Sequence, residues 1–290
     1  MPSVLRYAAF TETHAGGNPA GVVLDAAGLD ATRMQAIAAD IGYSETAFVT
    51  EDNGDGNLRV RYFSPKAEVP FCGHATIATA VAWAQGQGPG RLALTTAAGL
   101  VEVDVQPGER GRGPVATLTS VAPHTTPVDE ADLAEALGTL HWAVEDLDPD
   151  FPPRVAYAGA HHLVLAATTP GRLTDLHYEF DRLLGLMDRR RWTTLQLVHR
   201  CAPSVFRARN PFPPGGVVED PATGAAAAAF GGYLRELALV EPPAQITIHQ
   251  GGEIGRPSVL VVDIPAGANS GIRVSGTAVA IPLGEPRPEV

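Results

Sequence analysis

Lysine occurs once in this 290-residue chain, at Lys66, and cysteine twice, at Cys72 and Cys201. A Schiff base to a carbonyl substrate or to pyridoxal phosphate would need that one lysine, which sits in a turn after Ser64-Pro65. Two cysteines make no disulfide framework, and a reducing compartment is the expectation. No apolar run reaches the roughly 18 residues of a membrane span. Met1 to Tyr7 lacks the apolar centre of a secretory leader. A cytoplasmic protein without a membrane partner is expected.

Basic residues are few as well, 21 against 32 acidic, for a net charge of −11. Non-specific nucleic-acid affinity comes from clustered Lys and Arg, so no nucleic-acid partner is expected. The one basic run, Arg189-Arg190-Arg191, reads as a solvated helix end. Metal-ligand spacing is missing: there is no H-E-x-x-H and no paired cysteines, and the nine histidines are scattered. Neither a phosphate loop nor a G-x-G-x-x-G turn is present, the glycine-rich Gly108 to Pro114 having no Gly-Lys-Ser/Thr after it. The expectation is a reaction with no metal and no cofactor.

What the chain does have is small residues in a repeated pattern. Glu219-Asp220-Pro221-Ala222-Thr223-Gly224 leads into Ala225 to Ala229. The residue before proline avoids the helical region, so this is a turn, and the alanines are the best helix formers. Glu68-Val69-Pro70-Phe71-Cys72-Gly73-His74-Ala75 is a second copy. With Gly73 set on Gly224, Glu68 meets Glu219, Pro70 meets Pro221, Ala75 meets Ala226 and Ala78 meets Ala229. Upstream, Arg61 to Pro65 parallels Arg207 to Pro211, and Gly17-Asn18-Pro19-Ala20 parallels Ala160-His161-His162. An internal duplication follows, with one small-residue helix in each half.

The rest of the pattern predicts short strands and few helices. In the first half strands are expected at 4–10, 21–24, 44–50, 58–63, 92–96, 101–105 and 115–120, with a helix over 30–41 capped by Asp30. The segment 121–126 reads as a linker and 129–138 as a helix. In the second half strands are expected at 155–157, 163–167, 193–199, 205–209, 246–249, 259–264 and 272–281, with a helix over 172–187. One main helix per half among short strands means α+β. An alanine-walled helix fits inside a curled antiparallel sheet, where nothing bulkier would.

Two positions carry candidate chemistry. Helix N-termini present unpaired N–H groups and suit a carboxylate, and His74 stands at the first of them. Cys72 beside it is either a thiol base or a small buried residue, and the second reading is favoured because the matching place in the second half has no cysteine. Glu45 lies among the apolar residues of Ser44 to Val49. Buried, its pKa would rise from about 4.3 toward neutrality and suit proton transfer. On the polar face of an edge strand it would be an ordinary surface glutamate.

Ser44-Glu45-Thr46-Ala47-Phe48, Phe71-Cys72-Gly73-His74-Ala75-Thr76, Glu219-Asp220-Pro221-Ala222-Thr223-Gly224 and Gly255-Arg256-Pro257-Ser258 together resemble the PhzF family of phenazine-biosynthesis isomerases. The match runs from about Val4 to Ile281. The resemblance implies a diaminopimelate epimerase-like fold of two pseudo-symmetric domains, each a β-barrel-like sheet around a central helix, with the active site between them. It puts the first domain at 1–118 with a returning segment at 274–290, and the second at 119–273. It implies a homodimer with no metal or cofactor, acting on a small anionic metabolite in secondary metabolism. It makes Glu45 the acid/base, with His74 and Asp220 assisting, and Asn18, Gly73, Gly224, Ala225 and Arg209 on the substrate. A two-thiol racemase is not expected, since the second turn has Asp220 and Pro221. Family members commonly have serine where this chain has Ala225, and an aromatic where it has Arg209. The resulting reading is an isomerase that shifts a proton. A binding protein that kept the cleft, or a hydrolase or C–C lyase using Glu45 to activate water, are the alternatives.

Overall fold

The structure is a computed structural model that describes residues 2–109, 112–282 and 284. Arg110-Gly111 of the glycine-rich turn, and residues 283 and 285–290 of the returning segment, lie outside the described residues. The chain forms two compact units, Met1–Thr119 with Ser275–Val290, and Ser120–Val274.

The first unit runs β1 (Leu5–Ala9), β2 (Asn18–Val23), α1 (Ala31–Ile41), β3 (Glu45–Asp52), β4 (Asn57–Phe63), β5 (Glu68–Val69), α2 (Gly73–Gln87), β6 (Gly90–Thr96), β7 (Gly99–Gln106) and β8 (Val115–Thr119). The chain's last strand, Arg273–Ala280, completes it. Strands pair in the order β1-β2-β3-β4-β6-β7-β8-last strand. The last strand pairs back onto β1, with Tyr7 opposite Ala280 and Ala9 opposite Ala278. This closes an eight-stranded barrel and leaves it no free edge.

Inside it lies α2, buried from His74 to Ala82. Its alanines let it sit against β1, β2, β3, β7 and β8 together. Its threonines need partners in that dry place and find them on the preceding turn: Thr76 and Thr79 donate to the carbonyls of Cys72 and Ala75, each at 2.7 Å. Outside the barrel, α1 lays Met34, Ile37, Ala38 and Ile41 against Tyr43, Phe48 and Phe63. Asp30 caps it as expected, accepting from Arg33 N–H at 2.8 Å.

The second unit runs β9 (His124–Pro127), α3 (Glu130–Leu140), β10 (Arg154–Tyr157), β11 (His161–Ala166), α4 (Pro170–Thr174), α5 (Phe180–Arg190), β12 (Trp192–Ala202), β13 (Val205–Arg209), β14 (Pro211–Phe212), β15 (Val217–Glu219), α6 (Gly224–Glu236), β16 (Ala244–Gln250) and β17 (Ser258–Ile264). The sheet order is β9-β10-β11-β12-β13-β16-β17. Its strands curl around α6, which touches β9, β10, β11, β12 and β17. Leu163, Leu165, Leu195 and Leu197 form a core with Leu183, Leu186 and Met187 of α5. Successive strand residues point to opposite faces, so His162, Thr194 and Gln196 face α6.

The duplication is visible in the pairing. In the first unit the sequence is β1–β2 antiparallel, β2–β3 parallel, β3–β4 antiparallel, β4–β6 parallel and β6–β7 antiparallel. The second unit repeats it as β10–β11, β11–β12, β12–β13, β13–β16 and β16–β17. Each parallel pair is bridged by a crossover carrying a helix, as parallel strands require. The α+β class therefore holds, with two parallel pairs per unit within a mostly antiparallel sheet.

Two expectations need correction. Residues 121–126 are not only a linker, since His124–Pro127 pairs antiparallel with β10. The helix expected over 172–187 is two helices. Between them the Tyr178 hydroxyl donates to the Val218 carbonyl at 2.5 Å, and Glu179 N–H donates to the Thr139 carbonyl at 3.0 Å. Those long-range bonds hold the backbone open where local spacing alone predicts helix.

Candidate active site

The turn into α2 and the start of β3 bring three reactive side chains together. Cys72 is the N-cap of α2 in extended backbone, with no side-chain capping bond. Its thiol is left to point elsewhere, and it donates toward Glu45 Oε2 at 3.4 Å. His74 Nδ1 lies 3.3 Å from Cys72 Sγ. His74 Nε2 lies 3.5 Å from Glu45 Oε2 and 3.3 Å from Ser44 Oγ.

Burial is graded across this group. His74 and Cys72 are buried, whereas the Glu45 side chain keeps 16% exposure. Burial pushes the His74 imidazole below its ordinary value, against the opposing pull of the Glu45 carboxylate and the Pro19 carbonyl. Glu45 is thus neither fully buried nor on an exposed edge: β3 is an interior strand of a closed barrel, and Glu45 stands at its mouth. Asn18 begins β2 and is fully buried. Gly73 is half-buried, and a Cβ there would meet nothing within 4 Å.

The matching turn in the second unit is built differently. Thr223 is the N-cap of α6, and its hydroxyl donates to Asp220 Oδ2 at 2.5 Å. Gln250, at the end of β16, donates to the Asp220 carbonyl at 2.7 Å and accepts from Thr223 N–H at 3.2 Å. Asp220 N–H donates to the Asn210 carbonyl at 3.0 Å. Below it, Asn210 donates to Thr194 Oγ1 at 3.0 Å and to Gln196 Oε1 at 2.7 Å, and His162 Nδ1 meets Thr194 Oγ1 at 2.8 Å. Burial and the neighbouring His161 hold His162 down to about 3, so it is neutral.

The G-R-P-S motif supports this turn. Gly251 has φ +75, and a Cβ there would stand 2.7 Å from the Pro221 carbonyl and 2.4 Å from that of Arg256. Only glycine admits both approaches. Gly224 and Ala225 are half-buried at the start of α6. Arg209 is not an unpaired cation: its guanidinium donates to Glu219 Oε1 and Oε2 and, at 2.8 Å, to the Thr174 carbonyl. The pair is buried, and burial raises the Glu219 carboxyl while Arg209 opposes the rise.

Of the residues singled out beforehand, the fold gathers Glu45 with His74 and places Gly73 beside them. It sets Asp220, Gly224 and Ala225 on one turn, with Arg209 tied to its first residue. Three neighbours were not among them. Cys72 had its signal in the Phe-Cys-Gly-His string, and Thr223 in its place before Gly224. Gln250 has none, as it arrives from 30 residues downstream.

Comparison with known proteins identifies the family. The family model described as PhzC-PhzF, phenazine biosynthesis-like protein, matches residues 7–284. The chain belongs to that family. It is 32% identical to a Pseudomonas chlororaphis trans-2,3-dihydro-3-hydroxyanthranilate isomerase, over 95% of this chain and 96% of the relative. A Bacillus anthracis PhzF-family crystal structure superposes with a TM-score of 0.86 at 25% identity, covering 96% of each chain. A probable proline racemase from Agrobacterium radiobacter shares the fold alone, with a TM-score of 0.65 at 12% identity, covering 97% of this chain and 91% of its own. PhzF membership makes this chain an isomerase with the diaminopimelate epimerase-like α+β fold. No helix among the described residues is long and apolar enough to cross a membrane.

Proposed function

We propose that the chain is a cofactor-independent isomerase in which Glu45 carries one proton between two carbons of a small, unsaturated, carboxylated metabolite. The observation that carries the proposal is the setting of Glu45: partly exposed, with Cys72 Sγ at 3.4 Å and His74 Nε2 at 3.5 Å, beside the N-terminus of α2. A carboxylate so placed takes a proton from a carbon next to a double bond. The electron pair of the broken C–H bond spreads into the conjugated system. The glutamic acid then returns the proton at the other end of that system, and the double bond shifts. No electrons or atoms are gained or lost, and Glu45 ends as it began.

The amides of Gly73 and His74 suit the substrate carboxylate, since a helix N-terminus favours an anion by roughly 0.3–2 kcal/mol. Asp220 assists, with Thr223 and Gln250 fixing its position. The relative's named substrate, trans-2,3-dihydro-3-hydroxyanthranilate, is of the right class and is the first compound to offer. Ala225 lacks the hydroxyl that family members commonly have there, which favours a related compound of secondary metabolism over that one. The same absence supports a second reading, a ligand-binding protein without turnover.

The test is a proton-shift assay on cyclic unsaturated carboxylates in D₂O. The enzyme reading expects a moved double bond, with deuterium at the new C–H to the extent that the partly exposed Glu45 exchanges its proton with solvent before returning it, and loss of turnover in Glu45→Gln with affinity largely kept. Binding without turnover by the wild type, or turnover that survives Glu45→Gln, would remove Glu45 from the mechanism.

A further inference from the structure

No ligand spacing in the chain suggests a metal, yet the fold assembles a triangle of three different ligand atoms. Glu45 Oε2 and Cys72 Sγ are 3.4 Å apart. Glu45 Oε2 and His74 Nε2 are 3.5 Å apart, and Cys72 Sγ and His74 Nε2 are 3.8 Å apart. A tetrahedral zinc ion has bonds of about 2.3 Å to sulfur, 2.0–2.1 Å to nitrogen and 2.0–2.2 Å to carboxylate oxygen. Those lengths set its ligand pairs roughly 3.3–3.6 Å apart. The three side chains therefore already stand on one face of such a tetrahedron, within a few tenths of an ångström.

We propose that Glu45, Cys72 and His74 form a binding site for a thiophilic divalent cation of the zinc type, with its fourth position open. The charges match. On binding, the Cys72 S–H bond breaks, its proton leaves to solvent and a metal–sulfur bond forms. Thiolate and carboxylate together then balance the dication, and the neutral imidazole adds no charge. The softness matches too, since one thiolate with one imidazole selects zinc-like ions over magnesium or calcium. His74 and Cys72 are buried and bound to each other, so the ion meets a site that is largely preformed.

The consequence is inhibition. A carboxylate bound to a metal ion cannot take a proton from carbon, so the ion and the reaction compete for Glu45. This consequence rests on the proposed function; the binding itself does not.

Cobalt(II) is the probe, added to the full chain carrying Cys201→Ser so that the exposed second thiol is removed. One cobalt per chain is expected, with a thiolate-to-cobalt charge-transfer band in the near ultraviolet and the intense visible absorption of a tetrahedral ion. Zinc should displace it. Cys72→Ser should abolish the charge-transfer band, and His74→Ala should weaken binding by more than the roughly 10–100-fold that loss of an outer partner costs. Unchanged far-ultraviolet circular dichroism checks that both variants are folded. Absence of the band in the Cys201→Ser chain, or its survival in the Cys72→Ser variant, would overturn the site. Stoichiometric cobalt with undiminished turnover would leave the site standing and overturn both the inhibition and the role of Glu45.

Discussion

Around the start of α2 stand Cys72, His74 and Glu45, with side-chain atoms 3.3–3.8 Å apart. At the start of α6, in the equivalent place, stand Asp220, Thr223 and Gln250, bound to one another at 2.5–3.2 Å. Beside the first turn, β3 brings the Glu45 carboxylate to the mouth of a barrel. The second buries its carboxylate under a hydroxyl and braces the backbone with an amide side chain. Duplication supplied one scaffold twice, and the two copies surround their turns with different side chains. The helices differ in the same sense. Ala80 and Val81 of α2 become Gly231 and Gly232 in α6, where Cβ atoms would stand 2.8 Å from Ile272 and 2.4 Å from Pro123.

The sharpest way to break this comparison is at the two acids. Glu45→Gln is expected to lower turnover by about 10²–10⁴-fold, the usual contribution of a positioned acid/base. Asp220→Asn is expected to reduce turnover less, because it removes a charge from a braced turn and not the proton carrier. Steady-state kinetics on both decides it, and equal losses would mean that the halves have not diverged in role.

The buried histidine of the second unit gives the next effect. His162 is held at about 3 in the folded chain against an ordinary 6.5. The unfolded chain therefore binds the extra proton over that interval, and stability rises with pH there. The full contribution is present above about pH 6.5 and is lost as pH falls toward 3, at up to about 1.4 kcal/mol per pH unit. His162→Gln, which cannot be protonated, should flatten the stability profile between pH 6.5 and 5 by about that slope. Urea unfolding at a series of pH values measures it.

Packing comes third. Gly232→Ala pushes a methyl against the Pro123 ring and should cost about 1–3 kcal/mol, read as a lower Tm. The smallest effect is expected on the crossover helices. Asp30→Ala removes the cap of α1 and should cost about 0.5–2 kcal/mol. Glu179→Ala on the equivalent α5 should cost less, since Glu179 makes no side-chain cap bond.

How far the chain could be read in advance follows the same division. Elements set by local chemistry were legible: the Asp30 cap, the alanine helix of each half, and the strand pairs that flank them. The break between α4 and α5 was not, because it depends on Tyr178 and Glu179 reaching residues about 40 positions away. Strand β9 escaped for a similar reason, as its proline and histidine content looks like linker until β10 lies beside it. At the site, Glu45 and His74 were marked by motif. The closeness of Cys72 to both depends on where β3 meets the turn into α2, which no spacing in the chain encodes. Arg209 was expected on the substrate, but Glu219, ten residues on, occupies most of its donors.

The closing strand of the first barrel has a bearing on how the chain is made. Its partners β1 and β8 leave the ribosome long before it does, with Ser120–Val274 in between. At roughly 5–20 residues per second, synthesis of that intervening unit takes about 8–30 s. During this time seven staves and α2 exist without the eighth, and the edges of β1 and β8 stay open to any other strand they meet. The second unit is continuous in the chain and is finished first. Release of the last strand is thus the event that seals the older half, so a nascent chain stopped short of Ala280 should carry a complete second unit and an unsealed first one.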